Sequence, residues 1–307
     1  MLKWLVIGIG DITTKRVIPA ILAEPRSALY GVLTRNPEKA TAYPGVRVWT
    51  SLDEALKDSA IDAVYVASPV RFHGEQTIAG LRAGKHVLCE KPVAMNYAEA
   101  RSMAEAGSRS GRVLGIAYFR RLFPKLIRAR QLLAEGVIGQ PVLAQANCHG
   151  WLESEERGWL RDPALAGGGP LYDIASHRID AMNFLFGEPV RATGLRSNTV
   201  HQMGVEDNAT VVIDYACGVR GMVDVRWNSH IRRDEFRIFG ADGEMNLTHL
   251  QEAPLRYGDV LESLPSHPNV HYPLIENFAA AVLDGAPVAC TADAAILTDW
   301  VTEQVMN

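Results

Sequence analysis

Short apolar runs alternating with helix signals over residues 1–120 constrain this chain more than any other feature. The runs are Lys3–Gly8, Ala28–Thr34, Arg47–Trp49, Ala63–Ala67, His86–Cys89 and Val113–Tyr118. Leu5-Val6-Ile7 and Ala63-Val64-Tyr65-Val66-Ala67 are apolar on both faces, as strands covered on both sides must be. Between the runs, Ser51 with Glu54 and Asn96 with Glu99 have the spacing of helix N-caps with reciprocal acids. Ala79 to Ala83 ends in Gly84, a helix stop. Strands alternating with helices predict βαβ units and a parallel sheet.

The second half has a different period. Ala209, Val211, Ile213 and Tyr215 alternate with Thr210, Val212 and Asp214. Val219, Gly221, Val223, Val225 and Trp227 alternate with polar or longer neighbours. A period of two predicts antiparallel strands with one buried face. Phe236 and Ile238 begin another strand, and Gly240-Ala241-Asp242-Gly243 reads as a hairpin turn. Helices are expected from about Tyr172 to Leu185, over Leu274–Leu283 and over Ala292–Val305. The expected division is a dinucleotide-binding domain at 1–121 and a catalytic and oligomerisation domain at 122–307, with a large, mostly antiparallel sheet.

The chain's 307 residues suffice for two cores, and 48% apolar content suits packed domains. No apolar stretch reaches the roughly 20 residues of a membrane span, and the start of the chain reads as lacking a signal peptide. Cys89, Cys148, Cys217 and Cys290 form no C-x-x-C pair, so neither a metal site nor a disulfide framework is expected and the default location is cytoplasmic. A net charge of −4 argues against a nucleic-acid partner.

Gly8-Ile9-Gly10 follows the first strand and opens a helical pattern through Ile18, Ile21 and Leu22. Glycines let the backbone turn tightly beside a pyrophosphate, and the helix start presents N–H groups to it. Asp11 and Ile12 complete this turn. The third glycine position holds Thr13, a departure that weakens the motif. The second strand ends Leu33-Thr34-Arg35-Asn36, with no acid to take a ribose 2′-hydroxyl. An arginine there pairs with a 2′-phosphate, which favours NADP over NAD.

Two further turns follow strands. Ala67-Ser68-Pro69, with His73 soon after, ends the fourth; Glu90-Lys91-Pro92 ends the fifth. Both lie at the strand ends where open α/β sheets bind ligands. An ammonium at Lys91 suits a substrate hydroxyl that must lose its proton. Farther on, Gly167-Gly168-Gly169 opens a helix on which Asp173 and His177, at i and i+4, share a face. That face suits an acid–base histidine with a carboxylate beside it.

Together these segments resemble the glucose–fructose oxidoreductase, inositol dehydrogenase and MocA-like oxidoreductases. The resemblance also covers Tyr118-Phe119-Arg120-Arg121 before Pro124, Glu135-Gly136-Val137-Ile138-Gly139, and Glu206-Asp207 entering a strand. It implies a Rossmann domain, an open-faced second sheet that makes homodimer or homotetramer contacts, and hydride transfer between NAD(P) and a C–OH of a sugar, polyol or related small molecule. Carried onto this chain, Lys91 holds the reacting oxygen, His177 is the general acid/base, and Asp173 orients the substrate or His177. The cofactor would be held by Gly8, Ile9, Gly10, Asp11, Ile12, Thr34, Arg35, Ser68, Pro69, His73, Glu90 and Lys91. Arg120, Trp159 and Arg161 would line the substrate side, although Trp159 also reads as a packed aromatic and Arg121 as a structural partner.

Three other readings share this fold. One is a dinucleotide- or sugar-sensing regulator without turnover, which would have no need of Lys91 and His177. Another uses bound NAD as an internal redox catalyst for glycoside cleavage. The third reduces an aromatic or diol substrate.

Overall fold

The computed structural model describes residues 1–152, 158–252 and 254–306. The chain divides into two units, Met1–Phe119 with His267–Ile296, and Arg120–Ser266 with the segment from Leu297. The expected division at 121/122 treats each unit as one continuous stretch. In the structure the stretch His267–Ile296 belongs to the first unit instead.

The first unit holds β1 (Leu2–Ile7), α1 (Ile18–Ala23), β2 (Ser27–Leu33), β3 (Arg47–Trp49), α2 (Leu52–Leu56), β4 (Ala63–Val66), α3 (His73–Arg82), β5 (His86–Cys89), α4 (Tyr97–Ser110) and β6 (Leu114–Ile116). The six strands pair in parallel in the order β3-β2-β1-β4-β5-β6. The order reverses between β1 and β4, which opens a crevice beyond their C-terminal ends. Every residue of β4 is buried, and so is β1 apart from Lys3. Helix caps follow the sequence: Asn96 Oδ1 accepts from Glu99 N at 2.9 Å. The return of Glu99 goes to Met95 N at 3.0 Å, one residue before the cap.

The return segment joins this unit for a packing reason. Phe278 packs at a tilt against Trp4 with ring centroids 5.2 Å apart, and Ile116 N donates to Cys290 O at 3.0 Å. The segment thus covers apolar surface that β1 and β6 leave open.

The second unit holds α5 (Pro124–Ala134), β7 (Pro141–Trp151), α6 (Pro163–Ala166), α7 (Ser176–Phe186), β8 (Pro189–Ser197), β9 (Asn208–Tyr215), β10 (Arg220–Arg226), β11 (Asn228–Gly240), β12 (Glu244–Asn246), β13 (Leu255–Tyr257) and β14 (Val260–Glu262). Its sheet runs β14-β13-β12-β11-β7-β10-β9-β8, antiparallel at every pairing except β10 with β7. The chain closes with α8 (Tyr272–Asp284) in the first unit and α9 (Ala292–Met306).

The alternation in β9 and β10 is a buried face against a half-exposed one. A Cβ on Gly221 would meet Met182 Sδ at 3.0 Å, so the glycine lets α7 approach the sheet. The sequence reading missed β7, the strand beside both β10 and β11. Its inward positions include Ala144 and Ala146, which are too small to carry a strong period-two signal.

Candidate active site

In the first unit the glycine turn is built for close approach. Gly8 has φ +92°, and a Cβ there would lie 2.8 Å from Ala67 O. An L side chain is strained at that φ and has no room, so glycine is required. Gly10 faces open space, with nothing within 4 Å of a Cβ. These features fit a loop that lets a pyrophosphate come close. The departure at Thr13 has a structural consequence: its buried hydroxyl accepts from Gly10 N at 2.8 Å and donates to Gly10 O at 3.0 Å. The side chain closes the turn from within, and a wide π turn, Thr13–Val17, leads into α1. Ile9 is buried, Ile12 half-buried and Asp11 exposed, the last paired with Lys15 at 2.5 Å.

At the exit of β2, Thr34 is buried and its hydroxyl bonds within the turn to Asn36, leaving Arg35 exposed. The sequence reading missed Lys39. Its Nζ reaches back to Ile9 O at 3.4 Å, which places a second cation between this exit and the glycine turn. It sits in a short 3₁₀ turn, Pro37–Ala42, and lacks any motif of its own.

The turns after β4 and β5 are tied together. His73 is buried, and its ring nitrogens lie 2.9 Å from Pro92 O and 2.9 Å from Ser68 O. Burial pulls its pKa below the ordinary value, against the two carbonyls and the Glu90 charge. Both nitrogens are thus engaged with backbone oxygens. His73 therefore links Ser68-Pro69 to the cis Lys91–Pro92 turn.

Glu90 anchors the same turn. Its Oε1 accepts from Tyr65 Oη at 2.7 Å and lies 3.5 Å from His271 Nε2; its Oε2 accepts from Lys91 N at 3.2 Å. Burial pushes its pKa up, but His271, the Tyr65 hydroxyl and the Lys91 charge outweigh burial and hold it below the usual carboxylate range. Lys91 itself is half-buried.

In the second unit, α7 is held by acids that arrive from elsewhere. Gly169 N and Leu171 N donate to Glu206 Oε1 at 2.8 and 3.1 Å. Burial raises the Glu206 pKa, and the backbone N–H groups only partly offset this. Cβ atoms on Gly167 and Gly168 would strike the Tyr172 ring at 2.7 and 2.4 Å, and one on Gly169 would strike Glu206 O at 2.0 Å. The glycine run is therefore a packing requirement of the helix start. A π turn, Leu171–Ala175, carries Asp173, and His177 sits buried in the first turn of α7. The regular i, i+4 helix assumed from the sequence thus begins three residues after Asp173.

Arg121 clamps α7 from the side, with Nη2 and Nε at 2.7 and 3.0 Å from Asp180 Oδ1. Burial raises the Asp180 pKa and the guanidinium opposes it. Burial and the like charge of Arg178 lower the Arg120 pKa to about 9, which leaves it charged at neutral pH. Arg120 and Asp173 both act electrostatically on the Cys148 thiol, which places them around one part of this unit. Trp159 packs on the Leu160, Ala166, Val205 and Trp227 cluster beside Ile174, and Arg161 is half-buried.

This fold and these turns define a dinucleotide-binding oxidoreductase. Residues 2–118 match the oxidoreductase family with an NAD-binding Rossmann fold, and residues 126–246 match the GFO/IDH/MocA C-terminal domain. The 1,5-anhydro-D-fructose reductase of Ensifer adhaerens is 33% identical over 251 residues, covering 80% of this chain and 75% of that protein. The chain belongs to the GFO/IDH/MocA oxidoreductase family. Among solved structures, GenD2 from gentamicin A biosynthesis in complex with NAD superposes with a TM-score of 0.86 at 26% identity, over 99% of this chain and 93% of that one. A levoglucosan dehydrogenase complex with NADH and levoglucosan shares the fold, with a TM-score of 0.89 at 22% identity over 99% and 96%. The chain is thus an NAD(P)-dependent oxidoreductase, and the sensor and glycoside-cleaving readings find no support.

Proposed function

We propose that this enzyme transfers a hydride between NADP and a C–OH or C=O carbon of a neutral sugar or polyol-like molecule. The observation that carries the reading is Lys91 on a turn at the C-terminal end of β5, backed by the buried carboxylate of Glu90. The names of the relatives support the substrate class: 1,5-anhydro-D-fructose and levoglucosan are both compact and polyhydroxylated.

The nicotinamide supplies the hydride chemistry, and the protein supplies orientation and proton handling. Gly8, Ile9, Gly10, Asp11 and Ile12 hold the pyrophosphate end, with Ser68 and Pro69 beside them. Thr34 shapes the turn on which Arg35, with Lys39 nearby, meets a 2′-phosphate. Lys91 donates a hydrogen bond to the reacting oxygen and stabilises its developing charge. His177 takes or returns the proton, and Asp173 orients it or the substrate. Arg120, Trp159 and Arg161 contact the rest of the substrate. The half-exposed face of the second sheet, with Leu195 83% exposed at its edge strand, supports a homodimer or homotetramer. No helix among the described residues is long and apolar enough to cross a membrane, and widely spaced free cysteines support a cytoplasmic location.

The test of the cofactor assignment is Arg35→Asp. A charge-assisted phosphate contact is worth about 1.5–3 kcal/mol, so preference should move from NADP toward NAD by about tenfold or more in kcat/KM. An unchanged ratio rejects Arg35 as the reader of the 2′-phosphate. A screen of neutral sugars and polyols with each nucleotide tests the substrate class, and turnover confined to acidic or aromatic compounds contradicts it.

A further inference from the structure

We propose that Tyr65, Glu90 and His271 are positioning residues for Lys91: Tyr65 and His271 hold the Glu90 carboxylate in place, and that carboxylate fixes the Lys91 backbone. This rests on the reading of Lys91 as the group that holds the reacting oxygen.

The three residues come from separate parts of the first unit. Tyr65 lies in β4, Glu90 follows β5, and His271 directly precedes α8 on the return segment. Tyr65 and His271 are at most 1% exposed and Glu90 is 7% exposed. The contacts converge on one carboxylate: Tyr65 Oη at 2.7 Å and His271 Nε2 at 3.5 Å on Oε1, and Lys91 N at 3.2 Å on Oε2. Phe119 packs its ring on His271 with centroids 4.7 Å apart, which fixes the imidazole.

A buried carboxylate without partners takes up a proton. Here a hydroxyl, an imidazole and a backbone N–H act together to keep it ionised. The ionisable groups that face Glu90 are Tyr65 from the neighbouring strand β4, His73 from α3, Lys91 beside it and His271 from the return segment. Among these only the lysine and an imidazole can offset a negative charge. An ionised Glu90 therefore works on Lys91 through geometry, by the bond it accepts from the Lys91 backbone N–H. The return segment is then more than a cover for apolar surface, because the residue just before its helix α8 reaches the Lys91 turn.

The test reads the lysine directly. Only the free amine reacts with acetic anhydride, so the alkaline plateau rate of Lys91 acetylation, followed by peptide mass spectrometry, reports how firmly its turn is held. Exposed Lys57 serves as the internal control. In Glu90→Ala, which removes the acceptor of Lys91 N, and in His271→Phe, the Lys91 plateau rate should rise severalfold with the Lys57 rate unchanged. Tyr65→Phe should show a smaller rise, and His271→Gln, which keeps a donor, should lie between His271→Phe and wild type. An unchanged Lys91 rate overturns the proposal. So does an equal rise at Lys57, which marks general loosening of the fold. If His271→Phe does not fold, Glu90→Ala and Tyr65→Phe carry the test. Labelling is indifferent to turnover, so its failure leaves the catalytic reading of Lys91 to be decided by Lys91→Met.

Discussion

Two buried glutamates, Glu90 and Glu206, support the two candidate acid–base groups and behave in opposite ways. Glu90 backs Lys91 and is held below the ordinary carboxylate range, because an imidazole, a phenol and a lysine share its surroundings. Glu206 caps the turn that leads to His177 and is pushed above that range, because burial dominates and its partners are chiefly backbone N–H groups. The lesson is that burial alone does not set a carboxylate's charge. A nearby cation or imidazole keeps it ionised, whereas amides alone orient it without fully replacing the lost water.

The largest expected effects test the groups these acids support. Lys91→Met should retain nucleotide binding and lose at least about a hundredfold in turnover; near-normal turnover removes it from the chemistry. His177→Ala should lose a comparable factor and flatten the pH–rate profile near neutrality, where an imidazole titrates. A profile of unaltered shape shows that some other group titrates.

Next come the caps themselves. Glu206→Ala leaves Gly169 N and Leu171 N without their acceptor and should cost about 2 kcal/mol, read as a Tm lower by about 5 °C. Glu206→Gln keeps an oxygen in place. An unchanged Tm in the alanine variant would show that the cap contributes little.

The smallest effect separates the glutamates by pH. Glu90 has a depressed folded pKa. Its contribution is present above the unfolded value near 4.3 and is lost as pH falls through the folded value. Glu206 has a raised folded pKa. Its contribution is complete below about 4.3 and is lost as pH rises through the folded value. At pH above neutrality, Glu90→Gln should therefore lower Tm and Glu206→Gln should leave it equal or slightly higher. Denaturation curves at mildly acidic and alkaline pH check both signs, and identical responses of the two variants would erase the distinction.

What the sequence disclosed follows from how local each signal is. Gly8 through Gly10, the turns after β4 and β5, and the period-two strands β9 and β10 are contiguous patterns, and the structure places them as expected. The supports were not legible. Tyr65 sits inside an apolar run and reads as core, although its hydroxyl is bonded to Glu90. His271 carries no motif and reaches Glu90 only because Phe278 and Cys290 bring the return segment back to the first sheet. Lys39 looks like any surface lysine until a 3₁₀ turn aims it at Ile9 O. Glu206 stands out in sequence only through resemblance, and its role depends on the N–H groups of a helix start far away in the chain. The contacts of His73 were hidden for the same reason, since its spacing after Ser68-Pro69 does not reveal that both ring nitrogens lie against backbone oxygens.

The central claim is a nicotinamide site that prefers the 2′-phosphorylated nucleotide. The most direct measurement is titration of nucleotide-stripped protein with NADPH and with NADH, followed by quenching of tryptophan fluorescence. The account predicts saturable quenching by both, with NADPH binding about tenfold or more tightly. Equal affinities, or tighter binding of NADH, would contradict the role given to Arg35 and Lys39, and no binding of either by folded protein would contradict the site itself.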